Sequence, residues 1–437
     1  MHDRRAVITG VGVVTPVGVG VQAFADALES GRSAVRDISL FDASGFPCRI
    51  GGELESFSAR KFVPKSYRKS VKVMARDIEI AVAAADLAFR DAGLTTRGID
   101  PDNVDVDCKR LGCNIGAGLI CTDLSELGAA VNTAVVDGTF DLRQWGEHGL
   151  DNLTPLWLLK YLPNMLACHV TIIHGCEGSS NNITCGDASA HLGVGESAGW
   201  IARGAVDAVV AGGAESKLNP MGVLRQSLLH RLRTDANDAP ADACRPFDAD
   251  AGGTVIGEGG GLLILEAAER AQQRGAAPYA ELAGFGAACD PQGIAATRPN
   301  VGSLDLAVSK AMADADVGPD DVDAIFCQGS GVPGEDRLEA QAWAAALGDA
   351  AERVPACALT GAIGTLFAGA GGAALAAAAV AMKRNMVPGT VNFSRPAEGV
   401  TLNLSRQGRS AELNCIVTAA YSIGGQSAAC VLKRPEA

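Results

Sequence analysis

The most informative stretch of this chain is Asn182-Ile-Thr-Cys-Gly-Asp-Ala-Ser-Ala-His-Leu-Gly-Val-Gly-Glu196. It places a thiol at Cys185 and a carboxylate at Asp187, directly before a segment of mostly small residues. Asp is a preferred N-cap residue, because its carboxylate can accept a hydrogen bond from a free N–H in the first helical turn. We therefore predict that Asp187 caps a helix by accepting from the N–H of Ser189 or Ala190.

Outside this stretch, one sequence pattern occurs twice, once in each half of the chain. Residues 74–93 carry apolar residues at helical spacing and end at a glycine, and residues 304–317 do the same before Gly318. An acidic loop and a short apolar strand follow each of them, over residues 110–116 and 322–329. The repeated order predicts an internal duplication, and the alternation of helices and strands predicts an α/β architecture.

Composition limits the classes of partner and setting. The 437 residues are 48% hydrophobic, which predicts a large buried core, and the net charge of −13 argues against a nucleic-acid partner. Thirteen cysteines without a CxxC pair, and a start that is not a signal peptide, predict a cytoplasmic protein. The uncharged residues 354–382 are rich in Gly and Ala, so we expect a buried helix there and no membrane span.

No cofactor and no metal are expected. The chain opens with an apolar strand and a glycine-rich turn over residues 5–18, but the turn lacks the GxGxxG spacing of a dinucleotide site. His169, His174 and Cys176 have no recognised metal-binding spacing, so we interpret them as structural.

Further motifs form a set with the opening stretch. They are GESAGWIARGAVDAVVAGGAE over residues 195–215, Asn164-Met-Leu-Ala-Cys-His-Val-Thr-Ile, Arg245-Pro-Phe-Asp-Ala-Asp, Gly257-Glu-Gly-Gly-Gly and Gly424-Gly425. With this set the chain resembles the β-ketoacyl-acyl-carrier-protein synthases over nearly its whole length. The resemblance implies the thiolase-like fold: two βαβαβαββ halves, residues 1–265 and 266–437, stacked as five layers α-β-α-β-α. It also implies a dimer formed through a strand near the nucleophile.

The resemblance assigns the active-site positions to residues of a different chemistry. Counting back without a gap from the AGGAE motif puts Asp187 on the reactive Cys of the family. Gln328 stands at the position of the first catalytic His, Thr365 at the second, and Thr360 at the position of the family's Lys. One fact is independent of any alignment: no His follows His230, and no Lys lies between Lys310 and Lys383.

Two alternatives for the chemistry stay open. Asp187 is a poor replacement nucleophile, since its attack on a thioester would give a mixed anhydride, an uphill exchange. Cys185 is an alternative nucleophile, but without a His partner its thiolate fraction would be small, and a small buried hydrophobe is the competing interpretation. We interpret His191 as a packed histidine. The family closes its pocket with a Phe-containing loop, and here Tyr421 and Ile423 stand at the gate positions.

A cluster of positive charge contrasts with the acidic chain. No Asp or Glu lies between Ser56 and Ala75, whereas six cations do: Arg60, Lys61, Lys65, Arg68, Lys69 and Lys72. We call these six residues the basic window. In the resembling synthases a helix corresponding to Val63–Val73 presents cations to acyl carrier protein, so the resemblance implies docking at Lys65, Arg68 and Lys69. The competing interpretation is a solvated surface.

The resemblance and the substitutions together predict a non-condensing subunit of a type II fatty acid or polyketide synthase, similar to a chain-length factor. Acyl carrier protein is the expected partner, with either a homodimer or a heterodimer with an active ketosynthase. Two alternatives remain. The first is an acyltransferase or thioester hydrolase that uses Cys185, Ser189 or a water held by Asp187 and Gln328. The second is an acyl-chain or carrier-protein binding module.

Overall fold

The computed structural model describes residues 4–292 and 303–436, which form helices and strands in alternation. The strands are β1 (Ala6–Thr15), β2 (Gly18–Val19), β3 (Val35–Asp37), β4 (Ile50–Gly52), β5 (Leu111–Gly116), β6 (Val135–Val136), β7 (Thr139–Phe140), β8 (Ser180–Ile183), β9 (Ala208–Ser216), β10 (Glu258–Ala267), β11 (Ala280–Cys289), β12 (Ala324–Cys327), β13 (Pro355–Ala358), β14 (Met386–Val387), β15 (Asn403–Leu404), β16 (Arg409–Ser410), β17 (Cys415–Tyr421) and β18 (Gln426–Lys433).

Several of the α-helices are long and largely buried. The α-helices of the described residues are α1 (Val21–Ser30), α2 (Arg76–Asp91), α3 (Leu124–Thr133), α4 (Leu142–Gln144), α5 (Met165–His174), α6 (Ser189–Ala202), α7 (Pro220–Leu228), α8 (Ala268–Gln273), α9 (Leu304–Asp314), α10 (Pro333–Leu347), α11 (Thr360–Ile363) and α12 (Ala368–Arg384). No helix in the described part of the chain is long and apolar enough to cross a membrane.

The strand order shows the duplication that the sequence predicts. The main sheet runs β15-β13-β12-β17-β18-β11-β1-β10-β9-β5-β8, with β2 beside β1. The strands β8-β5-β9-β10-β1 of the first half match β13-β12-β17-β18-β11 of the second half in order and in strand direction. The second half has one further strand, β15, outside β13. The two halves meet where residues 6–8 of β1 pair with residues 280–282 of β11. The sequence-based division at residue 265 lies near the end of β10 and stays a prediction.

The helices form three layers around the two half-sheets. Helices α6 and α12 contact each other and strands of both halves, so they form the middle layer. Helix α2 lies on the first half-sheet with α5, while α9 lies on the second with α10. The predicted α-β-α-β-α arrangement is therefore confirmed, and α12, which covers much of the uncharged segment, is a buried helix of small residues as expected.

Close packing of the outer helices repeats in both halves. A Cβ on Gly12 of β1 would overlap the carbonyl oxygen of Ala84 in α2, and a Cβ on Gly286 of β11 would overlap that of Ala307 in α9. Glycine is therefore required at both places, because any side chain would push the helix away from the sheet.

The helix that the resemblance implies over Val63–Val73 is replaced by short 3-10 turns at Ala59–Lys61, Lys65–Tyr67 and Ser70–Val73. Pro64 cannot donate a helical hydrogen bond, the valines of this segment are β-branched, and its neighbouring cations repel one another. A continuous α-helix is therefore disfavoured, although the cations remain at the surface.

Candidate functional site

The turn that carries Asp187 connects β8 to α6. A 3-10 turn spans Gly186–Ala188, with Gly186 at φ 58°, and runs directly into α6 at Ser189. The Ser189 hydroxyl accepts from the backbone N–H of Cys185 at 2.8 Å and donates to the carbonyl of Gly186 at 2.6 Å. No side-chain capping bond is formed at the start of α6. The predicted capping role of Asp187 is therefore wrong, because this residue already lies inside the helical turn.

Asp187 is buried, and hydrogen bonds do not fully replace the water that its carboxylate loses. Its side chain is 5% exposed, and its Oδ1 has no hydrogen-bond partner among the described residues. Burial raises its pKa to about 6, opposed by the positive charge of Arg231 and assisted by the negative charges of Glu215 and Glu335. A buried carboxylate is thus held next to other charges at the position that the family resemblance assigns to a nucleophile.

Gln328 follows β12, and its side chain binds the last residue of β17. Its Oε1 accepts from the backbone N–H of Tyr421 at 2.8 Å, and its own N–H donates to Glu339 Oε1 at 2.8 Å. Glu339 Oε2 accepts from the N–H of Gly329 at 2.8 Å, and burial raises the pKa of Glu339 to about 8. The carbonyl oxygen of the Gln328 amide is therefore committed to the backbone.

The hydroxyl groups of the two threonines near the site also form hydrogen bonds. Thr360, at the start of α11, donates its hydroxyl to the carbonyl of Gly329, and the Thr365 hydroxyl is bonded to that of Thr254. Both residues are buried. Neither side chain can supply a positive charge, unlike the imidazolium or ammonium groups that the family positions imply.

A small pocket of about 20 Å³ shows which of these residues the fold brings together. Its lining includes Gln328, Thr360 and His191, but neither Asp187 nor Thr365. His191 Nε2 lies 3.1 Å from the hydroxyl of Thr418, and burial lowers the His191 pKa to about 3. His191 is fully buried, as its interpretation as a packed histidine predicts.

The surroundings of Cys185, His169 and His174 favour structural roles for these residues. Cys185 is half-buried, and burial raises the pKa of its thiol, so thiolate formation is disfavoured. His169 Nδ1 lies 2.9 Å from the Tyr67 hydroxyl, and His174 Nδ1 lies 2.7 Å from the Thr96 hydroxyl. Within the described ranges, no group of three or more His, Cys, Asp or Glu side chains could hold a metal ion.

The predicted gate residues differ in exposure. Tyr421 is the last residue of β17, is fully buried, and its hydroxyl has no partner among the described residues. Ile423 is half-buried in the following turn, where Ser422 bonds to Gln426 through both backbone and side chain, at 2.8 and 2.6 Å. The gate assignment stays a prediction.

The basic window is exposed as predicted. All six of its cations are exposed, and none of them forms an ion pair with another residue in the described part of the chain. Its use for docking stays a prediction.

The structure adds a charged network that the sequence did not indicate. Arg231 makes a bidentate ion pair with Glu335, with both N–O distances at 2.8 Å, and both residues are buried. Lys217 bonds to Glu215, whose other oxygen accepts from the N–H of Ala368 at the start of α12. Arg231 and Glu335 are 104 positions apart in the sequence, so no local spacing pattern could indicate their pairing. Glu215, in contrast, ends the recognised AGGAE motif.

Comparisons with known proteins agree with this architecture. The family description "Beta-ketoacyl synthase, N-terminal domain" matches residues 3–271, and "Beta-ketoacyl synthase, C-terminal domain" matches residues 279–394. The granaticin polyketide putative β-ketoacyl synthase 1 of Streptomyces violaceoruber is 32% identical over 435 residues, with 99% of each chain covered.

Two solved structures are similar over almost the whole chain. The ishigamide ketosynthase/chain length factor has a TM-score of 0.84 at 24% identity, covering 99% of this chain and 100% of that one, which shows the fold alone. A type II polyketide synthase acyl-carrier protein in complex with its ketosynthase bound to the hexaketide has a TM-score of 0.82 at 25% identity, with the same coverage.

Proposed function

This chain belongs to the β-ketoacyl synthase family, and we propose that it acts there as a non-condensing subunit, similar to a chain-length factor, of a type II fatty acid or polyketide synthase. The observation that carries the proposal is the buried Asp187 carboxylate, which lies where the resemblance assigns the family's reactive Cys. A carboxylate at this position cannot store an acyl group as a thioester, because the exchange would produce a less stable mixed anhydride.

The residues Gln328 and Thr365 support the same proposal. Decarboxylation of a malonyl thioester needs donors on the oxygen of the developing enolate, and cationic donors stabilise that charge best. Gln328 and Thr365, which the resemblance assigns to the family's two His positions, offer only neutral groups, and their side-chain oxygens are bonded to Tyr421 and Thr254. The chain has no His after residue 230 to replace them.

The partners follow from the family and the surface. The structural relative named above is an acyl-carrier protein complex with its ketosynthase, and the exposed, unpaired basic window offers a matching site for an acidic carrier protein here. Strand β8 ends the main sheet, so its outer edge offers backbone groups to a second subunit. We propose a dimer through this edge, either with a second copy or with an active ketosynthase.

The test is release of carbon dioxide from malonyl-carrier protein by the purified chain. We expect no release above that of a carrier-only sample, and we expect the Gln328→Ala and Thr365→Ala variants to behave in the same way. An intact ketosynthase from the same type of system serves as the positive control. Measurable release that is lost in either variant would show that the site is catalytic and that the proposal is wrong.

A further inference from the structure

Two thiols lie near the start of α6, and the proposed function uses neither of them. Cys185 directly precedes the 3-10 turn that carries Asp187, and Cys289 is the last residue of β11. We propose that Cys185 and Cys289 form a reversible disulfide bond, with a small disulfide such as oxidised glutathione as the oxidant. This bond is independent of the proposed function, because neither thiol takes part in it.

The directions of the strands bring the two cysteines to the same edge of the sheet. Strand β18 pairs antiparallel with both β17 and β11, so β17 and β11 run in the same direction and end at the same edge. A Cβ on Gly186 would lie 3.0 Å from the side chain of Ser422, the residue directly after β17. The turn that follows Cys185 therefore lies at the edge where β11 ends in Cys289.

Side-chain alternation places Cys289 on the face of the sheet that α6 covers. Phe285 of β11 packs against Gly195 of α6. Successive side chains of a strand point to opposite faces, so Cys289, four positions later, points to the same face as Phe285. The pairing of β11 with β18 is regular from Gly284 to Cys289, so no bulge reverses this alternation. Cys289 therefore points to the side of the sheet that carries α6, whose first turn follows Cys185.

One turn of the chain connects the surroundings of the two thiols. Gln426 lies opposite Cys289 in the pairing of β18 with β11, and its Oε1 accepts from the Ser422 hydroxyl at 2.6 Å. Ser422 lies beside Gly186, the residue after Cys185. Burial raises the pKa of the Cys185 thiol, and negative charge on Cys289 raises it further, as expected for two neighbouring thiols.

The exposure of the two thiols sets the order of the reaction. Among the thirteen cysteines, all of which the structure describes, only Cys289 is exposed, whereas Cys185 is half-buried. A small disulfide in solution therefore meets Cys289 first. The Cys185 thiol then lies within the protein beside the sulfur that has reacted.

The reaction is a thiol–disulfide exchange in two steps. The Cys289 thiolate attacks one sulfur of oxidised glutathione, which forms a mixed disulfide and releases one glutathione thiolate. The Cys185 thiolate then attacks the Cys289 sulfur and releases the second glutathione thiolate. The two protein thiols lose two protons and two electrons, and one glutathione disulfide becomes two glutathione thiols.

The disulfide bond would restrict the turn of residues 422–426, which lies between the two cysteines and contains Ile423. In the reduced chain this turn is held by the bonds between Ser422 and Gln426 and by the N–H of Asp290, which donates to the carbonyl of Gly425 at 2.8 Å. A covalent link between its two neighbours adds a constraint that hydrogen bonds do not supply. We therefore expect slower amide hydrogen exchange in this turn after oxidation.

The experiment incubates the reduced full chain with oxidised glutathione, blocks the remaining thiols and identifies linked peptides by mass spectrometry. We expect a link between Cys185 and Cys289 that dithiothreitol removes and that forms faster as pH rises, because more of the Cys185 thiol is then ionised. In Cys185→Ser the reaction should stop at the mixed disulfide on Cys289. The matched control is Cys168→Ser, which removes a half-buried cysteine of α5 and should leave the link unchanged.

Three results would overturn the inference. The first is a wild-type chain that keeps glutathione on Cys289 and forms no link to Cys185. The second is a link from either residue to a different cysteine, or a link that forms only in denaturant. The third is equal hydrogen exchange of residues 422–426 in the reduced and linked chains, which would show that the bond does not restrict the turn. None of these measurements uses carrier protein, so failure of the proposed function would leave them unchanged.

Discussion

Asp187 is held in its buried position by the surrounding fold at a cost to stability. Its Oδ1 has no donor among the described residues, and the one nearby cation, Arg231, is already in a bidentate pair with Glu335. A buried polar atom without a hydrogen bond costs free energy, so the fold would gain by neutralising this residue.

The first prediction at the residue scale concerns pH. The Asp187 pKa is raised from 3.8 to about 6, so between these values the folded chain binds more protons than the unfolded chain. Stability therefore falls as pH rises through this range, by on the order of 2–3 kcal/mol for this residue. We expect Asp187→Asn to be more stable than wild type above pH 7 and to lose this advantage near pH 4.

Denaturant unfolding at several pH values checks this prediction. The quantity compared is the free energy of unfolding of Asp187→Asn minus that of wild type. The difference is needed because burial also raises the pKa of Asp77 and of Asp336, each to about 7, so the wild-type profile has other contributions. A stability difference that does not change with pH would contradict the pKa of Asp187.

A second residue-scale prediction concerns activity. Asp187→Cys places a thiol at the position that the resemblance assigns to the nucleophile, but it supplies neither a His at Gln328 nor one at Thr365. We expect no condensation of acyl- with malonyl-carrier protein, because the enolate would still lack cationic donors. The assay is mass spectrometry of carrier-bound products, with wild type as the control. Turnover by the single variant would mean that Gln328 and Thr365 do not occupy the two His positions.

At the scale of elements, the glycines of β1 and β11 allow the outer helices to lie directly on the sheets. We expect Gly12→Ala to destabilise the fold by about 1–3 kcal/mol, because the added methyl would overlap the Ala84 carbonyl. Gly128→Ala in α3 is the matched control: apart from its chain neighbours and the nearby backbone of its own helix, no described atom lies within 4 Å of its Cβ position. A helical Gly→Ala change is expected to stabilise slightly. Equal denaturation midpoints for Gly12→Ala and wild type would contradict the packing argument.

The same elements show what sequence patterns can predict. Helices α2 and α9 and strands β5 and β12 were predictable because burial of one face imposes a periodicity on the sequence. The Asp187 cap was predicted wrongly because local spacing does not reveal that the 3-10 turn continues into α6. The environment of Asp187 depends on Arg231 and Glu335, which only the folded chain brings together.

At the scale of the whole molecule, surface charge is unevenly distributed. The net charge is −13, yet the basic window is exposed and free of ion pairs within residues 4–292 and 303–436. Uncompensated cations on an acidic protein create a local positive potential that can orient an acidic partner during approach. Ordinary surface salt bridges, such as Arg353–Asp320, have no such effect because their charges cancel locally.

This distribution gives the last prediction. Replacing Lys65, Arg68 and Lys69 by Ala should weaken carrier-protein binding and flatten its salt dependence, because attraction over the ~8 Å screening length is lost. The matched control replaces Arg143, Arg353 and Arg395, which are exposed but each lie within 4 Å of an acidic partner. Both variants remove three positive charges and change the net charge from −13 to −16. An effect of net charge alone would therefore weaken carrier-protein binding equally in both variants. Only a docking role for the basic window predicts a large loss in the first variant and a small one in the control. Equal affinities would assign the window to a solvated surface.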